Sequence, residues 1–222
     1  RNALSYHDYP SHLNAAYSPI RRMKPLFMWA GGKTRMIKKY TEYLPDTFTH
    51  YVEPFMGAGA MFVWAYQKNP LATFVLNDAN ESIMQVYFAI RDDVESFLDR
   101  LDHLSDRYLP LDKAGRKEFY YALRHQHAYD YNKWDHTTEA ATLYFLMKTG
   151  FNGIWQINKN TNGRFGTPSG LLNQEDKVYD RGNVRAWHIA LQRCTLLSQD
   201  FSDVLPHVRR GSYVFLDPPY RG

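Results

Sequence analysis

Residues 49–59 have the sequence Thr-His-Tyr-Val-Glu-Pro-Phe-Met-Gly-Ala-Gly and, with the residues that follow, indicate the fold class. Residues 49–52 are short and β-prone, and residues 60–67 have the pattern of a helix. A buried strand is predicted over residues 73–76, so the three segments form a β-turn-α-β unit. Such a unit is typical of a doubly wound, Rossmann-like sheet, and the sequence therefore predicts an α/β fold.

The turn over residues 53–59 is a candidate ligand site. Gly57 and Gly59 allow the backbone to approach a ligand, and the following helix offers free N–H groups at its N-terminus. Asp78 follows Gly57 by about 20 residues, the usual interval to an acidic residue that binds a ribose hydroxyl. A tight strand-helix turn that binds nothing remains an alternative at this point.

The rest of the chain divides into three regions. Residues 81–150 are mostly helical, with Ile83, Val86, Tyr87 and Ile90 on one predicted helix face. A helical stretch of this length between two parts of an α/β sheet indicates an inserted domain. The expected organisation is an extended N-terminal arm over residues 1–24, a catalytic domain over 25–81 and 173–222, and an insertion over 82–172.

Further elements follow the helical stretch. Residues 158–170 are rich in Asn, Gly and Thr and predict a hairpin or an ordered loop. A helix is predicted over 184–193, and short strands over 195–198 and 213–216. A doubly wound sheet normally has more strands after this point, so its C-terminal strands are expected to be absent from this sequence.

Composition narrows the possible partners. The formal net charge of +4 permits a polyanionic partner, although a merely solvated basic surface fits it equally. Cys194 is the single cysteine, which excludes an intrachain disulfide and suits a reducing compartment. We see no apolar run of about 18 residues that would span a membrane. His125 and His127 diverge on their predicted helix, so we expect surface histidines and no metal site.

Asp217-Pro218-Pro219-Tyr220 follows the last predicted strand. Two prolines fix the backbone and remove two N–H donors, which leaves the Asp217 carboxylate and the Pro218 carbonyl as acceptors. Two fixed acceptors beside an aromatic ring suit the amino group of a flat base, with Tyr220 stacked on the ring. A proline-rich strand exit with a capping Asp is the alternative.

The motifs together resemble the Dam-type (D12 class) DNA adenine-N6 methyltransferases. The matching segments, in the family's order, are Trp29-Ala30-Gly31-Gly32-Lys33, Tyr51-Val52-Glu53-Pro54-Phe55 with Gly57-Ala58-Gly59, Asn77-Asp78-Ala79-Asn80, Phe151-Asn152-Gly153 with Asn158, Phe165 and Pro168, Gln199-Asp200-Phe201, and Asp217 to Tyr220. The match spans residues 24–220, and residues 1–23 have no recognised counterpart.

The resemblance implies a Rossmann-like fold that uses S-adenosyl-L-methionine (AdoMet) and carries a helical target-recognition insertion. It implies catalytic roles for Asp217, Pro218, Pro219 and Tyr220. It implies cofactor contacts, with Trp29 and Lys33 facing the methionine end of AdoMet, for Trp29, Ala30, Gly31, Gly32, Lys33, Glu53, Pro54, Phe55, Gly57, Gly59, Asp78, Asp200 and Phe201. It implies DNA contacts for Phe151, Asn152, Gly153, Gln156, Asn158, Lys159, Arg164 and Pro168.

Two residues depart from family members that methylate GATC. Those members have Lys where this chain has Met28, and Arg where it has Gln156. Arg and Lys read guanine, Gln pairs with adenine, and Met forms no strong hydrogen bond. We therefore expect a recognition sequence other than GATC, with Gln156 on a base edge and Lys159 and Arg164 near phosphates. A solvated Gln156 is the alternative.

The expected reaction is methyl transfer from AdoMet to adenine N6 in double-stranded DNA, after the base has flipped out of the helix. An RNA adenine methyltransferase and a non-catalytic DNA-binding subunit are the alternatives. We expect a monomer in the cytoplasm of a bacterial or phage-infected cell, associated with DNA and with neither membrane nor metal.

Overall fold

A computed structural model describes residues 23–28, 37, 39, 43–170 and 177–218. The predicted N-terminal arm up to residue 22, the Trp29–Lys33 motif, Pro219 and Tyr220 lie outside these residues. The chain forms two compact units. We call them the sheet unit, which holds 23–26, 37, 39, 43–84 and 185–218 of the described residues, and the helical unit, which holds 27–28, 85–170 and 177–184. The domain boundaries expected from sequence stay a prediction.

The sheet unit is built on four parallel strands in the order β3-β2-β1-β4. Their bounds are β1 His50–Glu53, β2 Thr73–Asn77, β3 Cys194–Leu197 and β4 Ser212–Val214. Val52 of β1 pairs with Val75 on one side and with Val214 on the other. The parallel sheet confirms the α/β, Rossmann-like prediction.

Apolar side chains cover the strands. Val52, Val75 and Val204 form a buried cluster against which Leu197 and Val214 pack. All four residues of β1 are buried, as expected for a strand covered on both faces. For this reason the strands appear in the sequence as apolar runs and not as an alternation of apolar and polar residues.

Helix α1 (Ala60–Lys68) follows β1 through the glycine turn. It buries Phe62 and Tyr66, and the Phe62 ring lies 5.3 Å from that of Trp187. The Trp187 indole is fully buried and donates a hydrogen bond to the Lys24 carbonyl at 2.7 Å. This aromatic packing fixes the start of α1, and with it the glycine turn.

The helical unit consists mainly of four helices, and the predicted helical stretch is confirmed. They are α2 (Glu81–Asp92, which begins in the sheet unit), α3 (Val94–Tyr108), α4 (Lys113–Tyr129) and α5 (His136–Thr149). The side chains of Asp93, Asp112 and Asp135 cap α3, α4 and α5 by accepting backbone N–H groups. Helix α5 is buried on nearly every side, as its apolar run predicts. Helix α6 (Arg181–Leu191) leads back into the sheet unit.

Helix α4 corrects one prediction. Its buried residues include Tyr120, Leu123 and His127, which recur at helical spacing, so His127 is 1% exposed and not a surface residue. Burial and the nearby Arg164 cation lower the pKa of His127 to about 3, so the imidazole is neutral.

Residues 150–170 form an ordered loop, which includes the segment 158–170 that was predicted to be a hairpin or an ordered loop. Isolated antiparallel bridges pair Gly150 with Ser169 and Ile157 with Phe165. Short 3-10 turns lie at Phe151–Gly153 and Lys159–Thr161. In the part of the chain that the structure covers, no helix has the length and apolar character needed to cross a membrane, and no cluster of potential metal ligands is found.

Candidate functional site

The carboxyl ends of the four parallel strands form the candidate site of the sheet unit. Strand β1 pairs with β2 on one side and with β4 on the other. The order of the strands reverses between β1 and β4, which makes this position the switch point of the sheet. Ligands of doubly wound proteins bind at this switch point, beyond the carboxyl ends of the strands. Each strand leads to one predicted acidic residue: Glu53 ends β1, and Asp78, Asp200 and Asp217 follow β2, β3 and β4.

Glu53 is the most buried of these acidic residues, at 2% exposed. The Tyr51 hydroxyl donates a hydrogen bond to its Oε2 at 2.7 Å. Burial, with further contributions from the carboxylates of Asp217 and Asp78, raises the pKa of Glu53 to about 8. A buried carboxyl group among other carboxylates favours a cationic ligand, because such a ligand stabilises its charged form.

The Asp78 carboxylate is held by backbone N–H groups. Its Oδ2 accepts from Gly57 at 2.8 Å, and its Oδ1 accepts from Asn80 at 2.9 Å. Each carboxylate oxygen can accept a further hydrogen bond, so the oriented group can still bind the hydroxyls of a ligand. The structure thus joins the glycine turn to the acidic residue that sequence spacing paired with it.

Gly59 packs closely against an aromatic ring. It adopts a left-handed conformation with φ +73°, and a Cβ atom placed there would lie 2.5 Å from Cη2 of Trp187. The lack of a side chain at Gly59 therefore makes room for the Trp187 ring, and its contact with a cofactor stays a prediction. Gly57 also has positive φ, at 50°, and its N–H reaches Asp78.

Asp200 and Phe201 follow β3. Asp200 Oδ1 accepts hydrogen bonds from the Ser202 N–H at 3.0 Å and the Ser202 hydroxyl at 2.6 Å, which together lower the pKa of Asp200. The Phe201 ring is 49% exposed, and its centroid lies 5.6 Å from that of Phe55 after β1. The two rings offer a partly exposed aromatic surface at the strand ends.

Asp217 lies close to the end of β1. The Phe215 N–H donates to the Val52 carbonyl at 3.0 Å, so the pairing of β4 with β1 continues past the end of β4. Asp217 stands two residues further on and is half-buried, whereas Pro218 is exposed. Its charge contributes to the raised pKa of Glu53, which places the two carboxyl groups within electrostatic reach of each other.

Two residues that position this site were not assigned a role from sequence. Tyr51 donates to Glu53, and Asn77 bonds to Pro54 and Gln199 through its side chain. The available signal was polarity at a buried position: Asn77 ends an otherwise apolar strand directly before Asp78.

The 150–170 loop of the helical unit carries the predicted DNA-contacting residues. Phe151 is half-exposed, Asn152 is exposed in a left-handed conformation, and the Gln156 side chain is exposed. A Cβ atom on Gly153 would lie 2.5 Å from Cβ of Met28. Met28 and the loop therefore share one surface, although they are far apart in sequence.

Helix α4 anchors this loop. Arg124 donates to the carbonyls of Gly166 and Thr167, and the Tyr129 hydroxyl donates to Asn160. Within the loop, the Asn158 side chain accepts from the Asn160 N–H at 2.9 Å, and the Pro168 carbonyl accepts from the Phe151 N–H at 2.9 Å. Asn158 and Pro168 thus shape the loop, while Lys159 is exposed on it.

Arg164 is engaged within the protein. Its guanidinium forms an ion pair with Glu139 of α5, and its Cζ lies 3.7 Å from the centroid of the Tyr131 ring. These contacts hold the loop through Arg164, and the phosphate contact expected from sequence stays a prediction. The pattern of charges alone could not show that Glu139 lies within reach.

The chain is similar to DNA methyltransferases over most of its length. It is 34% identical over 204 residues to "Type II methyltransferase M.MjaIII" of Methanocaldococcus jannaschii, with 90% of this chain and 70% of the relative covered. It is 29% identical to "Type II methyltransferase M.CviBI" of Paramecium bursaria Chlorella virus NC1A (89% and 69% covered). It is 28% identical to "Retron Ec67 DNA adenine methylase" of Escherichia coli (90% and 65% covered). The chain thus spans about two thirds of the length of these relatives.

A family model gives the assignment. The model of the D12 class N6 adenine-specific DNA methyltransferases matches residues 29–222, which include every motif quoted for the resemblance. This match and the 34% identical relative agree with the parallel sheet and with the acidic residues at its carboxyl edge. The chain therefore belongs to the D12 class of N6 adenine-specific DNA methyltransferases, as its motifs predict.

Proposed function

We propose that this protein transfers a methyl group from AdoMet to N6 of adenine in double-stranded DNA. The observation that carries the proposal is the convergence of Glu53, Asp78 and Asp217 at the switch point of a parallel sheet. The family supplies the reaction class, and its relatives are named as DNA methylases, which does not favour an RNA substrate.

The residues of the sheet unit fit AdoMet. AdoMet carries a sulfonium and an ammonium cation, which suit the acidic surroundings of Glu53. The Asp78 carboxylate, oriented by Gly57 and Asn80, is placed to accept the ribose hydroxyls. Phe201 and Phe55 offer their rings to the adenine. When bound, AdoMet supplies an electrophilic methyl group.

Asp217 and Pro218 act on the target base. N6 of adenine is a poor nucleophile because its lone pair is delocalised into the ring. The Asp217 carboxylate and the Pro218 carbonyl accept hydrogen bonds from the two amino hydrogens and localise that lone pair as the bond from N6 to the methyl carbon forms and the bond from that carbon to sulfur breaks, which stabilises the transition state. The methylated N6 is then cationic and releases one of its protons to solvent. Tyr220 stacks on the flipped base. Together these contacts orient N6 towards the methyl group that is transferred.

The helical unit recognises DNA in this proposal. Its 150–170 loop presents Gln156 to a base edge and Lys159 to phosphates, with Met28 at the same surface. Neither Gln156 nor Met28 is a guanine reader, which supports a recognition sequence other than GATC. The sheet unit binds AdoMet and carries out the reaction.

The test is methylation of a duplex library with random sequence, in which N6-methyladenine is located by sequencing. We expect methylation at one short motif, and we expect Asp217→Ala to abolish it while DNA binding stays nearly intact. Asp203→Ala is the matched control, because Asp203 is an exposed carboxylate of the segment after β3. Near wild-type turnover of Asp217→Ala would refute the mechanism, and methylation of RNA alone would refute the substrate.

A further inference from the structure

Asn77 places a polar side chain where the fold otherwise places apolar ones. It ends β2 after Phe74, Val75 and Leu76, and it is 0% exposed. Burying an amide without hydrogen bonds is unfavourable, so the partners of this amide indicate its role.

Three hydrogen bonds involve the Asn77 side chain. Its Nδ2 donates to the Pro54 carbonyl at 3.0 Å and to the Gln199 carbonyl at 3.0 Å, while its Oδ1 accepts from the Gln199 N–H at 2.9 Å. The Asn77 carbonyl also accepts from the Met56 N–H at 2.9 Å. One residue thus ties the turn after β1 and the segment after β3 to the end of β2.

Those two segments carry the aromatic rings of the candidate cofactor site. Pro54 directly precedes Phe55, and Gln199 lies two residues before Phe201. The bonds of Asn77 therefore fix the backbone on both sides of the pair of rings, whose centroids are 5.6 Å apart.

We infer that Asn77 is a positioning residue that sets the spacing of the two cofactor-binding segments and thereby the affinity for AdoMet. This inference rests on the proposed function, because it takes the strand ends to be the AdoMet site. It separates Asn77 from the residues that act on DNA or on the transferred methyl group.

Asn77→Asp is the most informative substitution. Aspartate has the same shape and can still accept from Gln199, but it has no N–H and brings a carboxylate oxygen towards two carbonyl oxygens. We expect KM for AdoMet to rise about tenfold or more, the range for loss of buried hydrogen bonds. We expect kcat at saturating AdoMet and the affinity for DNA to stay close to wild type.

Asn69→Asp is the matched control. The Asn69 Nδ2 donates to the Phe48 carbonyl at 2.5 Å, and its Oδ1 accepts from the Leu71 N–H at 3.3 Å. Asn69 therefore joins the backbone segments that lead into β1 and β2, at the end of the sheet opposite the carboxyl ends of the strands. We expect its substitution to lower the melting temperature without a change in KM for AdoMet.

A comparison of two ligands separates positioning from a general loss of structure. S-adenosylhomocysteine carries the adenine that is proposed to lie against Phe55 and Phe201, whereas DNA is proposed to bind the 150–170 loop of the helical unit. Calorimetry should show that Asn77→Asp weakens binding of S-adenosylhomocysteine about tenfold or more while the affinity for duplex DNA stays close to wild type. An equal loss for both ligands, or no loss for either, would overturn the inference.

The remaining outcomes are also decisive. If Asn77→Asp does not fold, Asn77→Ser takes its place, because the hydroxyl is uncharged and keeps one donor. Failure of both variants to fold would overturn the inference, since Asn77 would then serve the sheet as a whole. Absence of AdoMet binding by the wild-type protein would refute the proposed function itself.

Discussion

The Asp78 side chain combines a structural contact with a proposed ligand contact. Asp78→Ala removes both the acceptor for the ribose hydroxyls and the acceptor for the Gly57 N–H. We expect AdoMet binding to weaken by about 1.5–3 kcal/mol, the range for hydrogen bonds to a charged group. Calorimetry on the folded variant measures this change, and Asp46→Ala, an exposed carboxylate that pairs with Lys68, is the control. Unchanged affinity would refute the assignment.

Glu53 predicts a pH dependence of stability. Its pKa is about 8 in the folded protein against an ordinary value of 4.5, so between these values the folded state keeps a proton that the unfolded state has lost. The free energy of unfolding should therefore fall as pH rises from about 4.5 to about 8 through this residue. Denaturant unfolding of Glu53→Gln should show a flatter profile over this window, since glutamine does not titrate. Parallel profiles would contradict the assigned pKa.

The turn between β1 and α1 depends on Gly59. Gly59→Ala adds a Cβ at positive φ and within 2.5 Å of the Trp187 ring, so we expect a destabilisation of about 2 kcal/mol or more. Gly211→Ala is the matched control, because Gly211 also has positive φ but has no atom within 4 Å of an added Cβ. Comparison of their unfolding midpoints isolates the packing term, and equal effects would contradict a role for Trp187.

The 150–170 loop carries two cations with different proposed roles: Arg164 holds the loop, and Lys159 contacts DNA. Arg164→Ala removes the ion pair with Glu139, and a double-mutant cycle with Glu139→Ala should give a coupling of about 1 kcal/mol. Lys159→Ala should leave stability unchanged and lower the salt slope of DNA binding by about one. The opposite result, a lower slope for Arg164→Ala alone, would restore the phosphate contact expected from sequence.

Gln156 predicts specificity at one base pair. Its side chain is exposed, while its carbonyl accepts from the Gly166 N–H at 2.8 Å, so the backbone that carries it is held. Gln156→Ala should cost about 1–3 kcal/mol at one position of the recognition sequence and relax the preference there. Gln156→Arg should gain a preference for guanine at that position in the randomised duplex assay. Strict GATC specificity of the wild type would refute the roles given to Met28 and Gln156.

The sequence predicts the fold of the molecule better than it predicts contacts between residues that are distant in sequence. The order of strands and helices follows from apolar runs, from the turn at residues 53–59 and from the position of Asp217 after β4. These are local patterns, and the sheet confirms them. Sequence separation does not predict contacts such as the ion pair between Arg164 and Glu139, because only the packing of the helical unit brings these two residues together.

The same limit applies to the candidate site. Spacing alone associates Asp78 with Gly57, and a hydrogen bond joins them. Spacing does not reveal that the Asn77 amide reaches Gln199, because that contact depends on how β2 and β3 align. Nor does it reveal that Gly59 makes room for Trp187, a residue more than a hundred positions later.

The place of β1 in the sheet has a consequence for synthesis on the ribosome. Its two neighbours come from opposite parts of the chain: His50 pairs with Thr73 on one side and with Ser212 on the other. Pairing of such distant segments is slow, and the chain emerges from its N-terminus. The edge of β1 that pairs with β4 therefore lacks its partner strand until nearly all of this sequence has been translated. The helices of residues 85–170, whose contacts are more local, are expected to form during that interval.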